Sequence, residues 1–223
     1  MDKNEHNLLI NIKDLTWWYS DSPYLLFNKF NFALYKNDFS VLVWKSWTWK
    51  STLIKFLIGQ IKVPARTIYH KLEDMSKYSD DDIQMYRRKL GIVFQDAKLL
   101  DHLSVKENVV YPLRIYDLWE HIIESKFQTV CDILHLAPIL DTPVYLLSAW
   151  EKQKIAIARA IIHDPELIIA DEPAGNLDWE TTQQIADILL AIHKQGKTVL
   201  LITHDIHLSN YIKNKEAVTL YQI

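Results

Sequence analysis

Short apolar runs alternate along this chain with stretches of helical periodicity, and that alternation does most to narrow the folds open to it. Residues 39–43, 91–94, 167–170 and 198–202 are continuously apolar or nearly so, which predicts buried strands of a parallel sheet covered by helices. Residues 7–15 and 26–34 instead alternate apolar and polar side chains, as in a sheet with one wet face. Helices are expected from Lys50 to about Ile58, ended by Gly59, from the capping sequence Ser79-Asp80-Asp81-Asp82 through Arg88, and over 181–194, stopped by Gly196. Residues 104–163 read as three more helices, 105–113, 120–136 and 151–163, broken at Pro112, Pro138 and Pro143, and hence as a helical lobe. The rest of 60–90 is mixed and polar. The class is α/β, and parallel sheets of this kind place ligands at the carboxyl ends of their strands.

Each buried strand runs into a polar cluster. After Val43 comes Trp44-Lys45-Ser46-Trp47-Thr48-Trp49-Lys50-Ser51-Thr52 and then a helix. This has the spacing of a phosphate loop, G-x-x-x-x-G-K-[ST], with the lysine and both hydroxyls kept and tryptophan in the glycine places. Successive backbone N–H groups and a helix N-terminus hold phosphate oxygens in such a loop, so indole there would fill the phosphate's place. Lys50 would pair with the β- and γ-phosphates and Ser51 would ligate Mg²⁺; a strand–turn–helix with a lysine by chance is the alternative. Strand 167–170 delivers Asp171 and Glu172. Asp171 would hold the magnesium shell and Glu172 would polarise or deprotonate the attacking water; a solvated acidic turn is the bland alternative. Gln95 and His204 also follow strands. Singly, each reads equally as an ordinary polar residue; beside a lysine, a metal and a carboxylate, His204 gains a task as donor to the γ-phosphate and Gln95 as metal or water ligand.

Leu147-Ser148-Ala149-Trp150-Glu151-Lys152-Gln153 precedes a helix, and a capping box of Ser148 with Glu151 explains two of its residues. Followed by Ile157-Ala158-Arg159-Ala160, the whole resembles the LSGGQ or LSGGE signature of the ATP-binding-cassette (ABC) ATPases, with Ala149 and Trp150 in the two glycine places. That family's motifs then run in order: phosphate loop 44–52, Gln95, signature 147–153, acidic strand 167–172, Asn176-Leu177-Asp178 and His204. The resemblance implies a P-loop NTPase fold in one domain, 1–223, with a mainly parallel core (about 1–98 and 164–223), an antiparallel β subdomain and a helical subdomain (about 99–163). It implies ATP and Mg²⁺ as cofactors and a head-to-tail homodimer. Each ATP would lie between the phosphate loop of one copy and Ser148, Ala149, Trp150, Glu151 and Gln153 of the other, with Asp178 in the D-loop. Tyr19 resembles the aromatic residue that stacks on adenine, an isolated surface tyrosine being the alternative. Segments 94–100, 107–109, 175–178 and 203–206 look most like the cell-division ATPases of the FtsE type; ATPases of lipoprotein release and macrolide export share much of the pattern. This implies a separate membrane permease of the FtsX kind and a place on the cytoplasmic face of the membrane.

Composition matters where the departures cluster. The 223 residues include 4 Gly and 8 Trp, against about 16 Gly at average usage. Trp44, Trp47, Trp49 and Trp150 fall on family glycines, while Lys50, Asp171, Glu172 and His204 are intact. The expectation is a decoding effect: UGA codons that specify glycine, read as tryptophan. Trp119, Trp179 and one or both of Trp17 and Trp18 are further candidates. The printed chain should fold but expose an apolar patch of indoles at the loop and fail to bind nucleotide. If the tryptophans are authentic, the reading of another class is a non-catalytic scaffold. A net charge of −3 offers no basic surface for nucleic acid, and a DNA-repair or translation ATPase would want an insertion or second cassette that this length does not hold. The lone Cys131 allows no internal disulfide, the first residues lack a signal-peptide core, and no apolar run nears the ~20 residues of a membrane span.

Overall fold

The computed structural model describes residues 7–19, 24–43, 49–175 and 177–222, with residue 222 described by its backbone alone. Trp44, Lys45, Ser46, Trp47, Thr48 and Asn176 lie outside the described residues. Strands β3 (Phe39–Val43), β6 (Leu90–Val93), β7 (Leu167–Asp171), β8 (Thr198–Thr203) and β9 (Thr219–Gln222) form a sheet of order β6-β7-β8-β3-β9, every pairing parallel. Strands β1 (Leu8–Trp17), β2 (Phe27–Tyr35), β4 (Ile68–His70) and β5 (Glu73–Asp74) make an antiparallel sheet of order β2-β1-β4-β5.

The continuous apolar runs are explained by two cores, one on each face of the parallel sheet. Ile168, Ala170, Val199 and Leu201 join the core shared with the helical lobe. Their neighbours Leu167, Ile169, Leu200 and Ile202 join the core shared with β1, β2 and α1 (Lys50–Leu57). Because side chains alternate across a strand, both faces must be apolar when both are covered.

Helix α2 (Asp80–Arg87) opens with the expected cap at Ser79, which the structure closes into a capping box with Asp82. The lobe consists of α3 (Val105–Ile115), α4 (Glu120–Leu134) and α5 (Ala149–Ile161), and α6 (Trp179–Lys194) and α7 (Ile206–Lys215) return to the sheet. Pro112 does not end its helix, as expected from the sequence, but lies inside α3. One backbone hydrogen bond is lost there, and burial of Leu113 on the next position favours continuing. Helix α5 crosses β6 so closely that a Cβ on Gly91 would lie 2.2 Å from the Ala160 carbonyl oxygen. Only glycine permits that approach.

Candidate functional site

The parallel register sets Val43 beside Thr203 and Asp171 beside Ile202, so three strand ends converge on one cleft. Glu172 leaves β7 in the left-handed region, φ 45°, an uncommon and strained backbone for a non-glycine residue. Its N–H is anchored to the Ile202 carbonyl at 2.9 Å. The turn drives the side chain inward, where it is 3% exposed.

Four donors meet that carboxylate. Lys50 Nζ, from the first turn of α1, pairs with Oε1. The Thr203 hydroxyl donates to Oε2 at 2.8 Å, the His204 N–H to Oε1 at 2.8 Å, and His204 Nδ1 lies 2.5 Å from the same oxygen. A buried charge is tolerated only with such compensation. Burial pulls the Glu172 pKa upward, but the hydrogen bonds from Lys50, His204 and Thr203 outweigh it and hold the carboxyl below its ordinary range. Asp171 goes the other way. Burial first, then the charges of Glu172 and Asp96, push it up to about 6 against the pull of Lys50. The two adjacent carboxyls thus differ in proton affinity, Glu172 held as an anion by its donors and Asp171 raised by burial and like charge that a cation would offset.

The exposed Ser51 follows Lys50 on α1, and Thr52 is buried. The Tyr19 hydroxyl lies 2.8 Å from Thr52 Oγ1, which ties this tyrosine to the phosphate-loop helix. The Gln95 amide covers the turn after Glu172, within 3.0 Å of where a Cβ on Gly175 would sit. The structure therefore gathers Lys50, Asp171, Glu172, His204 and Gln95 at one end of the sheet. The donor set of Ser51, Gln95 and Asp171, all oxygen and one carboxylate, suits a hard cation that keeps other ligands from phosphate and water.

Elsewhere, Ser148 and Glu151 form the capping box of α5. Buried Gln153 donates to the Phe94 carbonyl at 3.2 Å and so links the signature helix to the strand end before Gln95. Ala149 is exposed; Trp150 is half-buried against the lobe, with Lys154 Nζ 5.6 Å from its ring centroid. Asp178 caps α6 by accepting from the Thr181 N–H at 2.9 Å. Trp49 corrects the expectation of exposed indoles: it is 8% exposed and packs 5.4 Å from Phe27 and 6.2 Å from Phe30, centroid to centroid. A large apolar ring beside a half-formed core is better buried than hydrated. Thr203 escaped the sequence reading, since a strand-end threonine looks like any β-former; its place immediately before His204 was the available clue.

Comparison with known proteins identifies the family and the fold. The family model described as "ABC transporter" matches residues 27–175. The chain is 33% identical over 188 residues to the cell division ATP-binding protein FtsE of Bacillus subtilis, covering 84% of this chain and 82% of that one. It is 36% identical over 178 residues to FtsE of Haemophilus influenzae, covering 80% and 82%. Among solved structures, the dimeric bacterial ABC transporter cassette MJ0796 superposes with a TM-score of 0.80 at 27% identity over 91% of each chain. The same cassette is also known as a dimer in a post-hydrolysis state bound to ADP and Pi.

Proposed function

The chain belongs to the ABC transporter family of ATPases, and from that premise we propose that it binds and hydrolyses ATP as one of two identical subunits of a membrane complex of the FtsE/FtsX kind. The observation that carries this reading is the buried Glu172 carboxylate, kept ionised by Lys50, Thr203 and His204 beside the raised carboxyl of Asp171.

Mg²⁺·ATP, when bound, supplies an activated γ-phosphoryl group whose charge the metal shares. This chain's residues supply position and charge. Lys50 exchanges part of its pairing with Glu172 for the phosphate oxygens. Ser51, Gln95 and Asp171 would hold the cation. Glu172 Oε1 accepts the proton of the attacking water, and His204 orients the carboxylate through its backbone N–H and would exchange its single imidazole N–H from Glu172 to the γ-phosphate. Tyr19, already tethered to Thr52, stands at the mouth for the adenine. Ser148, Ala149, position 150, Glu151 and Gln153 would face the ATP of the second copy, with Asp178 between the sites. Two-fold symmetry then makes both sites alike.

The FtsE-type relatives support a partner permease of the FtsX kind at the inner membrane face, and among the described residues no helix is long and apolar enough to cross a membrane. The four tryptophans on family-glycine positions, in a chain with every charged site residue intact, support glycine at 44, 47, 49 and 150 in the native protein. Authentic tryptophan there would leave a scaffold without turnover. The experiment is Glu172→Gln in the protein purified from its own cells: ATP binding should persist while hydrolysis falls by about 10²–10⁴-fold. Undiminished hydrolysis would remove Glu172 from the proposed role.

A further inference from the structure

One charged residue of the signature helix has no task in ATP binding. Arg159, half-buried on α5, forms no ion pair among the described residues. Its guanidinium is spent on main chain instead: Nη1 donates to the Lys98 carbonyl and Nη2 to the Ala97 carbonyl, both at 2.8 Å. A rigid fork that takes two neighbouring carbonyls at once is a geometry arginine offers and lysine does not.

Those carbonyls belong to the turn that carries Gln95. Phe94, at the end of β6, accepts from the Ala97 N–H at 3.0 Å and so closes a turn around Gln95 and Asp96. Ala97 and Lys98 then both take left-handed backbones, φ 56° and 49°. Neither is glycine, and two such residues in succession persist only where their surroundings over-determine them. Here the helical lobe does so. From α5, buried Gln153 donates to the Phe94 carbonyl at 3.2 Å, and Arg159 takes the carbonyls of the two strained residues. From α3, the fully buried Asn108 accepts from the Leu100 N–H at 2.8 Å and donates to the Leu100 carbonyl at 3.0 Å. The segment after β6 is thus fastened to the lobe, while the Gln95 amide reaches the core and covers the turn after Glu172. Of the three anchors only Arg159 is charged, and only it holds the left-handed residues themselves.

We propose that Arg159 is a positioning residue for Gln95: by gripping the Ala97 and Lys98 carbonyls from α5, it holds the strained turn that aims the Gln95 amide into the cleft. This rests on the reading of Gln95 as a ligand of the ATP-bound cation or its water. Arg159 itself acts only through main chain. One helix then serves two sites, since α5 is capped by Ser148 at its first turn, toward the second copy's ATP, and fixes Gln95 of its own copy through Arg159.

The test variant is Arg159→Lys, which keeps the charge and the apolar stem and gives up the fork, in protein purified from its own cells. In the metal-free, nucleotide-free protein, amide hydrogen exchange at Ala97 and Lys98 should be slow in the wild type, although the Lys98 side chain is exposed. The variant should exchange there at least about tenfold faster, with α5 and the melting temperature unchanged. In hydrolysis, kcat should fall by about 10–10²-fold while KM for ATP stays within about twofold. Gln95→Ala should lose as much, and the double variant no more than the worse single, as for two residues acting through one group. Losses that multiply would overturn the proposal. So would rapid exchange at Ala97 and Lys98 in the wild type, exchange that Arg159→Lys leaves unaltered, or a lowered melting temperature with ATP binding and turnover lost together, the mark of a merely structural residue. Normal hydrolysis in Gln95→Ala overturns it as well, but leaves the ATPase reading standing so long as Glu172→Gln is inactive.

Discussion

Acid should weaken this fold through one imidazole in particular. Burial, assisted by Lys71 and Lys89 and opposed only by Glu166 among the larger contributions, lowers His70 from 6.5 to about 4. In the unfolded chain the same ring takes up its proton near 6.5. A base with a depressed folded pKa contributes no penalty above 6.5, a growing one as pH falls toward 4, where only the unfolded state gains the proton, and a constant one below, where both states hold it. The gap between 6.5 and about 4 corresponds to about 3 kcal/mol, and with the ring only 6% exposed solvent screening discounts it little. His70→Asn keeps an N–H donor for Tyr78 and removes the titration. Urea unfolding of the wild type and this variant should be compared in steps from about pH 7.5 to about pH 4. Carboxylates titrate in both proteins and cancel in the difference. Stability of the variant relative to the wild type should improve by about 3 kcal/mol across the window. A difference that stays constant with pH would refute the placement of His70 as a buried neutral base.

Thr203→Val removes a buried donor from an ionised carboxylate and should cost about 1–3 kcal/mol in urea unfolding at neutral pH. Thr203→Ser, which keeps the hydroxyl and drops the methyl, should cost less, and a loss seen in Thr203→Ser but not in Thr203→Val would mean that the methyl, not the hydroxyl, matters. Gly91→Ala sets a methyl group against the backbone of α5 and should cost at least about 1–3 kcal/mol, read as a lowered melting temperature; an unchanged one would contradict the close crossing. Asp171, an acid raised to about 6 by burial and its neighbours, costs stability as pH rises from 3.8 through about 6. Asp171→Asn should therefore stabilise the metal-free protein by about 2 kcal/mol at pH 7, discounted for partial exposure, with little gain near pH 4, while weakening Mg²⁺-dependent nucleotide binding. Calorimetry at the two pH values separates these effects.

What could be read in advance was whatever depends on local chemistry. The cap at Ser79, the capping box of Ser148, the stop at Gly59 and the buried strands β3, β7 and β8 follow from periodicity and hydrogen-bond valence within a few residues. So does the convergence of Lys50, Asp171, Glu172 and His204, because parallel strands deliver their carboxyl ends to one edge. Long-range competition hid the rest. Strands β4 and β5 span 3 and 2 residues, too short for any period to show, and exist because β1 offers an edge at Ile10, Asn11 and Ile12. Burial of Leu113 carried α3 past Pro112, and the rings of Phe27 and Phe30 drew Trp49 inward. The roles of Thr203 and of the Tyr19–Thr52 bond required knowing which side chains face each other across the cleft.

Glycine at 44, 47 and 49 is what would leave backbone N–H groups free of indole to meet a triphosphate. Tandem mass spectrometry of the tryptic peptides spanning positions 44–50, from protein purified from its own cells, tests this most directly. Glycine at 44, 47 and 49 is the predicted result. Tryptophan at all three would contradict it and leave the buried Lys50–Glu172 pair without a triphosphate to receive.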